Sequence, residues 1–184
     1  MVQPIKITTP LNNAKIMQLK AGDFVNITGY IYTARDIAHR RLNRLIEKNQ
    51  KLPIEIQGQI IYYVGPTPAK PGYISGSAGP TSSYRMDSYS PTLLDRGLKG
   101  MIGKGLRSQE VIDSMKKNKA VYFAAIGGAA ALISKSIKES EVVAYQDLGA
   151  EAIYRLYVEN FPVIVAIDIY GNNLYDTEPS KYRK

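Results

Sequence analysis

Residues Phe24–Asn49 decide the fold, and they read FVNITGYIYTARDIAHRRLNRLIEKN. The first ten, Phe24–Thr33, are rich in β-branched and aromatic residues, which favour a strand. Beyond them the period changes, and apolar residues fall on one stripe at helical spacing: Ala38, Leu42, Leu45 and Ile46. The pattern predicts a strand followed directly by a helix, which runs from about Asp36 to Asn49 and is ended by Pro53.

Similar patterns continue on both sides of this stretch. Further strands are predicted over five segments: Pro4–Thr9, Gln59–Val64, Ala120–Ile126, Glu141–Tyr145 and Phe161–Ile169. Helices are predicted over four: Thr92–Gly97, a helix capped by Ser108, an Ala-rich helix entered through Gly127-Gly128 and running through Ile133, and Ala150–Tyr157. This alternation predicts a single α/β domain over residues 1–184 with a mixed β-sheet, ending in a loose polar tail at 171–184.

Composition excludes several classes of site. The 184 residues include no cysteine and one histidine, His39, so a disulfide framework, a Cys-ligated metal, a catalytic thiol and a multi-His metal site are excluded. The formal net charge of +8 favours anionic ligands. No apolar run is long enough to span a membrane, and the first ten residues lack the apolar stretch of a signal peptide, so we expect a cytoplasmic protein.

Three cationic segments are candidates for binding an anion. Arg35 lies at the predicted strand–helix junction, with Asp36 beside it and His39 one turn later on the same face. Residues 77–87 combine small residues, hydroxyls and Arg85, so their backbone N–H groups could form an anion-binding concavity. Lys104 stands between two glycines that allow close backbone approach. Each segment could equally be a solvated helix start or a surface turn.

Taken together, these segments resemble the C-terminal domain of class I fumarate hydratases, which in split members of the family is a separate β subunit, and the related β subunit of L-tartrate dehydratase. The resemblance runs in order over nearly the whole chain. The matching stretches are GYIYTARDIAH (Gly29–His39), YVGPTP (Tyr63–Pro68), GPTSSYRMD (Gly79–Asp87), GKG (Gly103–Gly105), AIGGAA (Ala125–Ala130) and DLGAEAI (Asp147–Ile153).

The resemblance implies a swivelling β/β/α domain and a hydro-lyase that reversibly hydrates fumarate to L-malate. It implies a 4Fe–4S cluster that is bound by a cysteine-containing α subunit, so that this chain supplies no metal ligand. It also suggests a heterotetramer with β–β contacts. On this sequence it assigns the small dicarboxylate substrate to Arg35, Arg85 and Lys104 and the base to Thr81. Five residues are expected in supporting roles around these: His39, Asp36, Gly79, Gly103 and Gly105.

Alternatives remain at this point. Tyr84, which follows two serines after Thr81, leaves the choice between fumarate and tartrate open, and Thr81 could be either the base or a proton relay. A basic nucleic-acid-binding module is a different reading, suggested by Arg40, Arg41, Arg44 and the 14 tyrosines. The basic residues form no continuous stripe, so we expect no nucleic-acid partner. A purely structural subunit is the third alternative.

Overall fold

The computed structural model describes residues 3–67, 69, 72, 74, 76–125 and 130–177. Seven strands, five α-helices and two 3₁₀ helices follow one another along this part of the chain. In order they are β1 (Ile5–Thr8), α1 (Asn13–Ile16), β2 (Phe24–Thr33), α2 (Asp36–Glu47), β3 (Ile60–Tyr62), a 3₁₀ helix (Ser83–Met86), α3 (Ser90–Asp95), β4 (Gly100–Gly103), α4 (Gln109–Asn118), β5 (Val121–Ala125), α5 (Ala130–Ser136), β6 (Ile137–Ala144), a second 3₁₀ helix (Gln146–Glu151) and β7 (Ile153–Ile167).

The two longest strands, β2 and β7, close the sheet on itself. Strands β1 to β5 are joined by parallel pairings in sequence order. Strand β7 then pairs antiparallel with β5 and with β6 on one side and with β2 on the other. The five strands β2, β3, β4, β5 and β7 therefore form a closed ring, from which β1 and β6 extend. The predicted class, a single α/β domain with a mixed sheet, is confirmed, and the closure is a feature that the sequence did not predict.

Alternation along the strands fills two cores, one inside the ring and one outside it. Ile60 and Tyr62 of β3 point into the inner core, whereas Ile61 and Tyr63, the next residue after β3, join the outer one. The outer core is completed by buried residues of three helices: Ala38 and Leu42 of α2, Leu93 and Leu94 of α3, and Val111, Ile112 and Met115 of α4. The sheet is thus covered on its outer face by the helices that link its parallel strands.

Local chemistry explains most of the predicted boundaries. The helix predicted from Asp36 is confirmed and ends at Glu47. Ser108 caps α4 as predicted, since its hydroxyl accepts a hydrogen bond from the amide of Val111 at 3.4 Å. The helix predicted at Thr92–Gly97 begins two residues earlier, at Ser90, where Pro91 occupies its first turn.

The predicted helix over Ala150–Tyr157 is wrong. A 3₁₀ helix ends at Glu151, and the chain continues from Ile153 as the first half of β7. Burial alternates over this half, with Leu156 and Val158 buried and Tyr157 between them partly exposed. The competing long-range pairings with β2 and β6 favour the extended form, and a local pattern does not reveal them. Strand β7 also joins this half to the strand predicted at Phe161–Ile169.

The topology brings several chain segments to one edge of the sheet. Because β2, β3, β4 and β5 are parallel, their carboxyl ends lie together, and in open and closed α/β sheets this edge is where ligands commonly bind. Past β7, within the predicted tail, Asn173 bridges to Ile167, and the hydroxyl of Tyr175 accepts a hydrogen bond from the amide of Gly105 at 3.1 Å. Residues 178–184 of that tail, and the Gly127-Gly128 turn, lie outside the described residues. None of the helices in the described part of the chain has both the length and the apolar character needed to cross a bilayer.

Candidate functional site

Arg35 lies immediately beyond the carboxyl end of β2, at the start of α2, where its backbone is extended. Its guanidinium Nη1 lies 3.2 Å from a carboxylate oxygen of Glu151, and its side chain is 23% exposed. The Nε atom is buried and has no hydrogen-bond partner among the described residues. The side chain also runs against Gly65, where an added Cβ would lie 3.1 Å from Nη1. Arg35 is therefore held in place and still has donors to offer to an anion.

Arg85 reaches the same edge from a different part of the chain. It belongs to the 3₁₀ helix Ser83–Met86, and its Nη2 lies 2.6 Å from a carboxylate oxygen of Asp36. Because Asp36 directly follows Arg35, this contact brings the segments that carry the two arginines together. The Arg85 side chain is 44% exposed, so the guanidinium is open to solvent while one carboxylate orients it.

The loop that carries Thr81 is fixed across the end of β3. The amide of Thr81 donates to the carbonyl oxygen of Tyr63 at 2.7 Å. The hydroxyl of the buried Tyr62 donates to the carbonyl oxygen of Ala78, and burial raises the pKa of this phenol well above its ordinary value. The Thr81 side chain is half-buried. The segment from Ala78 to Thr81 is thus attached to the sheet just before the 3₁₀ helix that carries Arg85.

Lys104 follows β4 and lies beside the same loop. The amide of Ser83 donates to the carbonyl oxygen of Lys104 at 2.9 Å, and Ser82 forms an isolated parallel bridge with Lys104. The Lys104 side chain is exposed, and its ammonium group forms no ion pair with any described residue. The structure therefore brings together the segments of the four residues predicted to contact substrate, at the carboxyl ends of three neighbouring strands.

The glycines predicted to support the site differ in their surroundings. An added Cβ on Gly103 would lie 1.9 Å from the hydroxyl oxygen of Ser83, so only glycine fits between β4 and the loop. Gly105 has φ of +81°, a left-handed conformation that side chains disfavour. Gly79 has open space around it.

His39 lies beneath the site rather than in it. It is fully buried, and its Nδ1 lies 3.0 Å from the carbonyl oxygen of Arg35, so the ring donates this hydrogen bond and Nε2 is left as an acceptor without a partner among the described residues. Burial lowers its pKa to about 4, although the hydrogen bond to Arg35 opposes this shift. His39 is therefore neutral near pH 7 and supports the backbone at Arg35.

Sequence patterns missed three features of this region. Glu151, the partner of Arg35, lies in a segment that was predicted to be helical, and nothing in its spacing connects it to Arg35. A buried ion pair joins Arg107 to Asp87, two residues after Arg85. Arg41, one of the arginines that suggested nucleic-acid binding, instead donates two hydrogen bonds to Asp147, at 2.8 and 2.6 Å.

The donor set of this chain does not fit an iron–sulfur cluster. The sequence has no cysteine, and the described residues contain no group of three or more His, Asp or Glu side chains placed to hold a metal ion. What the edge offers is positive charge and hydrogen-bond donors from separate segments, together with a threonine hydroxyl. This chemistry suits a small molecule that carries carboxylates.

Comparison with known proteins gives a consistent result. The family model described as Fumarase C-terminus matches residues 1–178. The anaerobic class I fumarate hydratase of Escherichia coli (strain K12) is 43% identical over 164 residues, which is 88% of this chain and 30% of that protein. Fumarate hydratase 2 of Leishmania major is 36% identical over 175 residues, 93% of this chain and 31% of that protein.

A relative of different length was also found. The protein named putative L(+)-tartrate dehydratase subunit beta of Methanocaldococcus jannaschii is 38% identical over 172 residues, covering 90% of this chain and 88% of that protein. The chain thus spans about 30% of the length of the two fumarate hydratases and nearly all of the tartrate dehydratase subunit.

Proposed function

This chain belongs to the fumarase C-terminus family, and from that membership we propose that it is the β subunit of a two-subunit hydro-lyase that interconverts fumarate and L-malate. One observation carries the proposal beyond the family. Arg35, Arg85 and Lys104 come from three separate segments near one edge of the sheet, and the Thr81 amide bonds next to the end of β3, the strand between β2 and β4. A dianionic substrate of four carbons needs cations on more than one side, and this edge supplies them.

The two arginines and the lysine act on the carboxylates. In the dehydration direction the C3 proton of malate passes to a base, and the electron pair of that bond spreads into the adjacent carboxylate as an aci-carboxylate. This electron pair then forms the C2–C3 double bond as the C2–O bond breaks. The hydroxide that leaves C2, together with the proton taken from C3, accounts for the one molecule of water released. Fixed cations at the carboxylate stabilise this charge more strongly in the transition state than in the ground state. The ion pairs with Glu151 and Asp36 orient the guanidinium groups before substrate arrives.

Thr81 is the proposed base or proton relay. A free threonine hydroxyl is a weak base in water, so it would act as an alkoxide stabilised by the neighbouring cations or pass the proton to a second group. We expect Thr81→Val to lower turnover roughly 100-fold or more and Thr81→Ser to retain part of it, because serine keeps the hydroxyl. Equal activity of the Val and Ser variants would remove Thr81 from the proton path.

A cysteine-containing α subunit completes the proposed enzyme by holding the 4Fe–4S cluster, since this sequence has no cysteine and its described residues form no metal-binding group. Contacts between two β subunits in a heterotetramer and a cytoplasmic location are part of the same proposal. Mass determination of the purified complex tests the first, and cell fractionation tests the second.

The deciding experiment is co-expression of this chain with the product of a neighbouring reading frame that encodes cysteines. The complex is purified without oxygen and assayed with L-malate, fumarate and L-tartrate. We expect a brown, oxygen-sensitive complex that interconverts fumarate and malate. A complex without hydro-lyase activity toward any of the three would overturn the proposed function, as would co-purification of nucleic acid in place of an α subunit.

L-tartrate dehydration is the second candidate. It is favoured by the Methanocaldococcus jannaschii relative, whose length this chain covers almost completely. Tyr84 precedes Arg85 and is 68% exposed, so its side chain is available to contact the second hydroxyl group of L-tartrate. A kcat/KM that is higher for L-tartrate than for malate would replace the first candidate with the second.

A further inference from the structure

One arginine that is not among the proposed substrate ligands has a completely buried side chain. The Arg107 side chain is 0% exposed, and its Nε lies 2.7 Å from a carboxylate oxygen of Asp87. Its guanidinium also donates to the hydroxyl of Ser90 at 2.8 Å. The second carboxylate oxygen of Asp87 accepts from the amide of Ser108 at 2.6 Å. A charge this deep is costly unless it is paired and hydrogen-bonded, and here it is both.

Two tyrosine rings lie next to the guanidinium, that of Tyr63 just after β3 and that of Tyr122 in β5. The carbon Cζ of Arg107 lies 5.4 Å from the ring centroid of Tyr63 and 5.1 Å from that of Tyr122. These contacts are cation–π interactions in a desolvated place, where they are strongest. Lysine could not reproduce them together with the planar hydrogen-bonding fork.

Three partners of Arg107 are attached to segments of the candidate site. The carbonyl oxygen of Tyr63 accepts a hydrogen bond from the amide of Thr81 at 2.7 Å. The hydroxyl of Tyr122 lies 2.8 Å from that of Ser83 and donates to the carbonyl oxygen of Gly105 at 2.9 Å. Asp87 itself follows Arg85 by two residues.

We propose that Arg107, through Asp87, Tyr63 and Tyr122, is a positioning residue that holds the Thr81–Arg85 and Lys104–Gly105 segments in the relative placement that substrate binding needs. Arg107 does not contact the substrate, because it is buried beneath these segments. The catalytic part of this statement rests on the proposed function, whereas the placement of the segments does not.

The test uses a double variant, Arg107→Met together with Asp87→Asn. Because both charges are removed, no unpaired charge remains buried, and the asparagine oxygen still accepts a hydrogen bond from the Ser108 amide. We therefore expect the full chain to unfold at a urea concentration close to that of wild type. Arg107→Lys is the conservative variant, which keeps the charge and loses the fork. The matched control removes an exposed pair at the opposite edge of the sheet, Lys117→Met with Asp95→Asn, whose side chains are 71% and 51% exposed.

Amide hydrogen exchange measured by NMR on the full chain is the first readout. In the double variant we expect the amides of Thr81 and Ser83 to exchange roughly tenfold faster or more, while the amide of Val165, which bonds to Asp23 elsewhere in the sheet, stays unchanged. We expect Arg107→Lys to fall between wild type and the double variant. The Lys117/Asp95 control should not move the Thr81 or Ser83 amides.

Kinetics of the assembled complex are the second readout. We expect kcat/KM of the double variant to fall roughly 10- to 100-fold with the yield of complex unchanged, and Arg107→Lys to recover part of the loss. Unaltered exchange at Thr81 and Ser83 would overturn the positioning role whatever the activity. If the double variant fails to fold, Arg107→Lys decides, since wild-type exchange and kinetics in that variant contradict the proposal. A wild-type complex without hydro-lyase activity would refute the proposed function alone, because the exchange experiment does not depend on it.

Discussion

Two arginine–aspartate pairs lie on either side of the 3₁₀ helix Ser83–Met86. They have the same chemistry and nearly the same contact distance, but they differ in solvent exposure and in further partners. Arg85 meets Asp36 at 2.6 Å, with side chains 44% and 24% exposed. Arg107 meets Asp87 at 2.7 Å, with side chains 0% and 13% exposed, and it has further partners. The Arg85–Asp36 pair, here the outer pair, is screened by water, whereas the Arg107–Asp87 pair, the inner pair, is fixed by its surroundings. The same contact distance therefore accompanies an accessible arginine, which is proposed to bind substrate, in one place and a buried arginine in the other.

Breaking the inner pair by one charge should have the largest effect. Arg107→Met leaves the Asp87 carboxylate mostly buried without its partner, and we expect the free energy of unfolding to fall by about 4 kcal/mol. Urea unfolding followed by circular dichroism measures this. A loss below about 1 kcal/mol, the range of surface pairs, would show that the inner pair is no stronger than the outer one.

Removing the outer arginine should change activity without changing the fold. Arg85→Met deletes a proposed carboxylate ligand, so we expect turnover of the complex to fall roughly 100- to 1,000-fold. Because the pair is exposed, the free energy of unfolding should change by less than about 1 kcal/mol. Arg44→Met, an exposed arginine on α2 with no ion pair among the described residues, is the control and should keep full turnover. Normal turnover in Arg85→Met would mean that this arginine binds no substrate.

The close contact of Gly103 with Ser83, which lies between the outer and inner pairs, is tested by adding a side chain at Gly103. Gly103→Ala would place a Cβ 1.9 Å from the Ser83 hydroxyl and 3.0 Å from the Tyr63 ring. We expect a loss of roughly 1–3 kcal/mol in unfolding free energy, since the loop must move away from β4. Gly79→Ala is the matched control in open space, and its thermal midpoint should stay near that of wild type. Equal midpoints for the two variants would show that the loop is not packed tightly on β4.

Protonation of the buried His39 should destabilise the fold. Burial is the main cause that lowers the pKa of His39 to about 4; the nearby charge of Arg107 acts in the same direction, whereas the hydrogen bond to Arg35 and the charge of Asp36 oppose it. The unfolded chain, with a histidine pKa near 6.5, binds this proton more tightly, so stability is full above that pH and declines as the pH falls toward 4. We expect a loss of about 2 kcal/mol between pH 7 and pH 5.

The measurement is urea unfolding at several pH values, with His39→Leu beside the wild type. His39 is the only histidine of the chain, so its removal should flatten the pH dependence in this range. An identical slope in the two proteins would show that His39 is not the titrating group.

The outer region was partly predictable from the sequence, and the inner one was not. Arg35 follows a segment with a clear strand pattern, so its place at a strand end was predicted. Lys104 follows β4 (Gly100–Gly103), which is only four residues long and was not among the predicted strands. Arg107 lies in an ordinary polar segment, and its burial depends on Asp87, Tyr63 and Tyr122, which are distant in sequence. No local pattern records contacts of this kind.

The same limit explains the error over Ala150–Tyr157. Apolar and polar residues there fit a helix as well as a strand, and the pairing of Tyr32 with Arg155 decides between them. Confirmed elements such as α2 and α4 have a cap or an apolar stripe within one segment. Elements defined by distant partners, β7 above all, are the ones that sequence reasoning left incomplete.

The closure of the ring by β7 has a consequence for synthesis of the protein. Phe24 pairs with Ile164, so β2 waits for its neighbour until most of the chain has left the ribosome. Until then one long, apolar strand edge is exposed, and pairings between such distant segments form slowly. A chain that ends before residue 153 therefore lacks every β7 partner of β2 and leaves that edge unpaired.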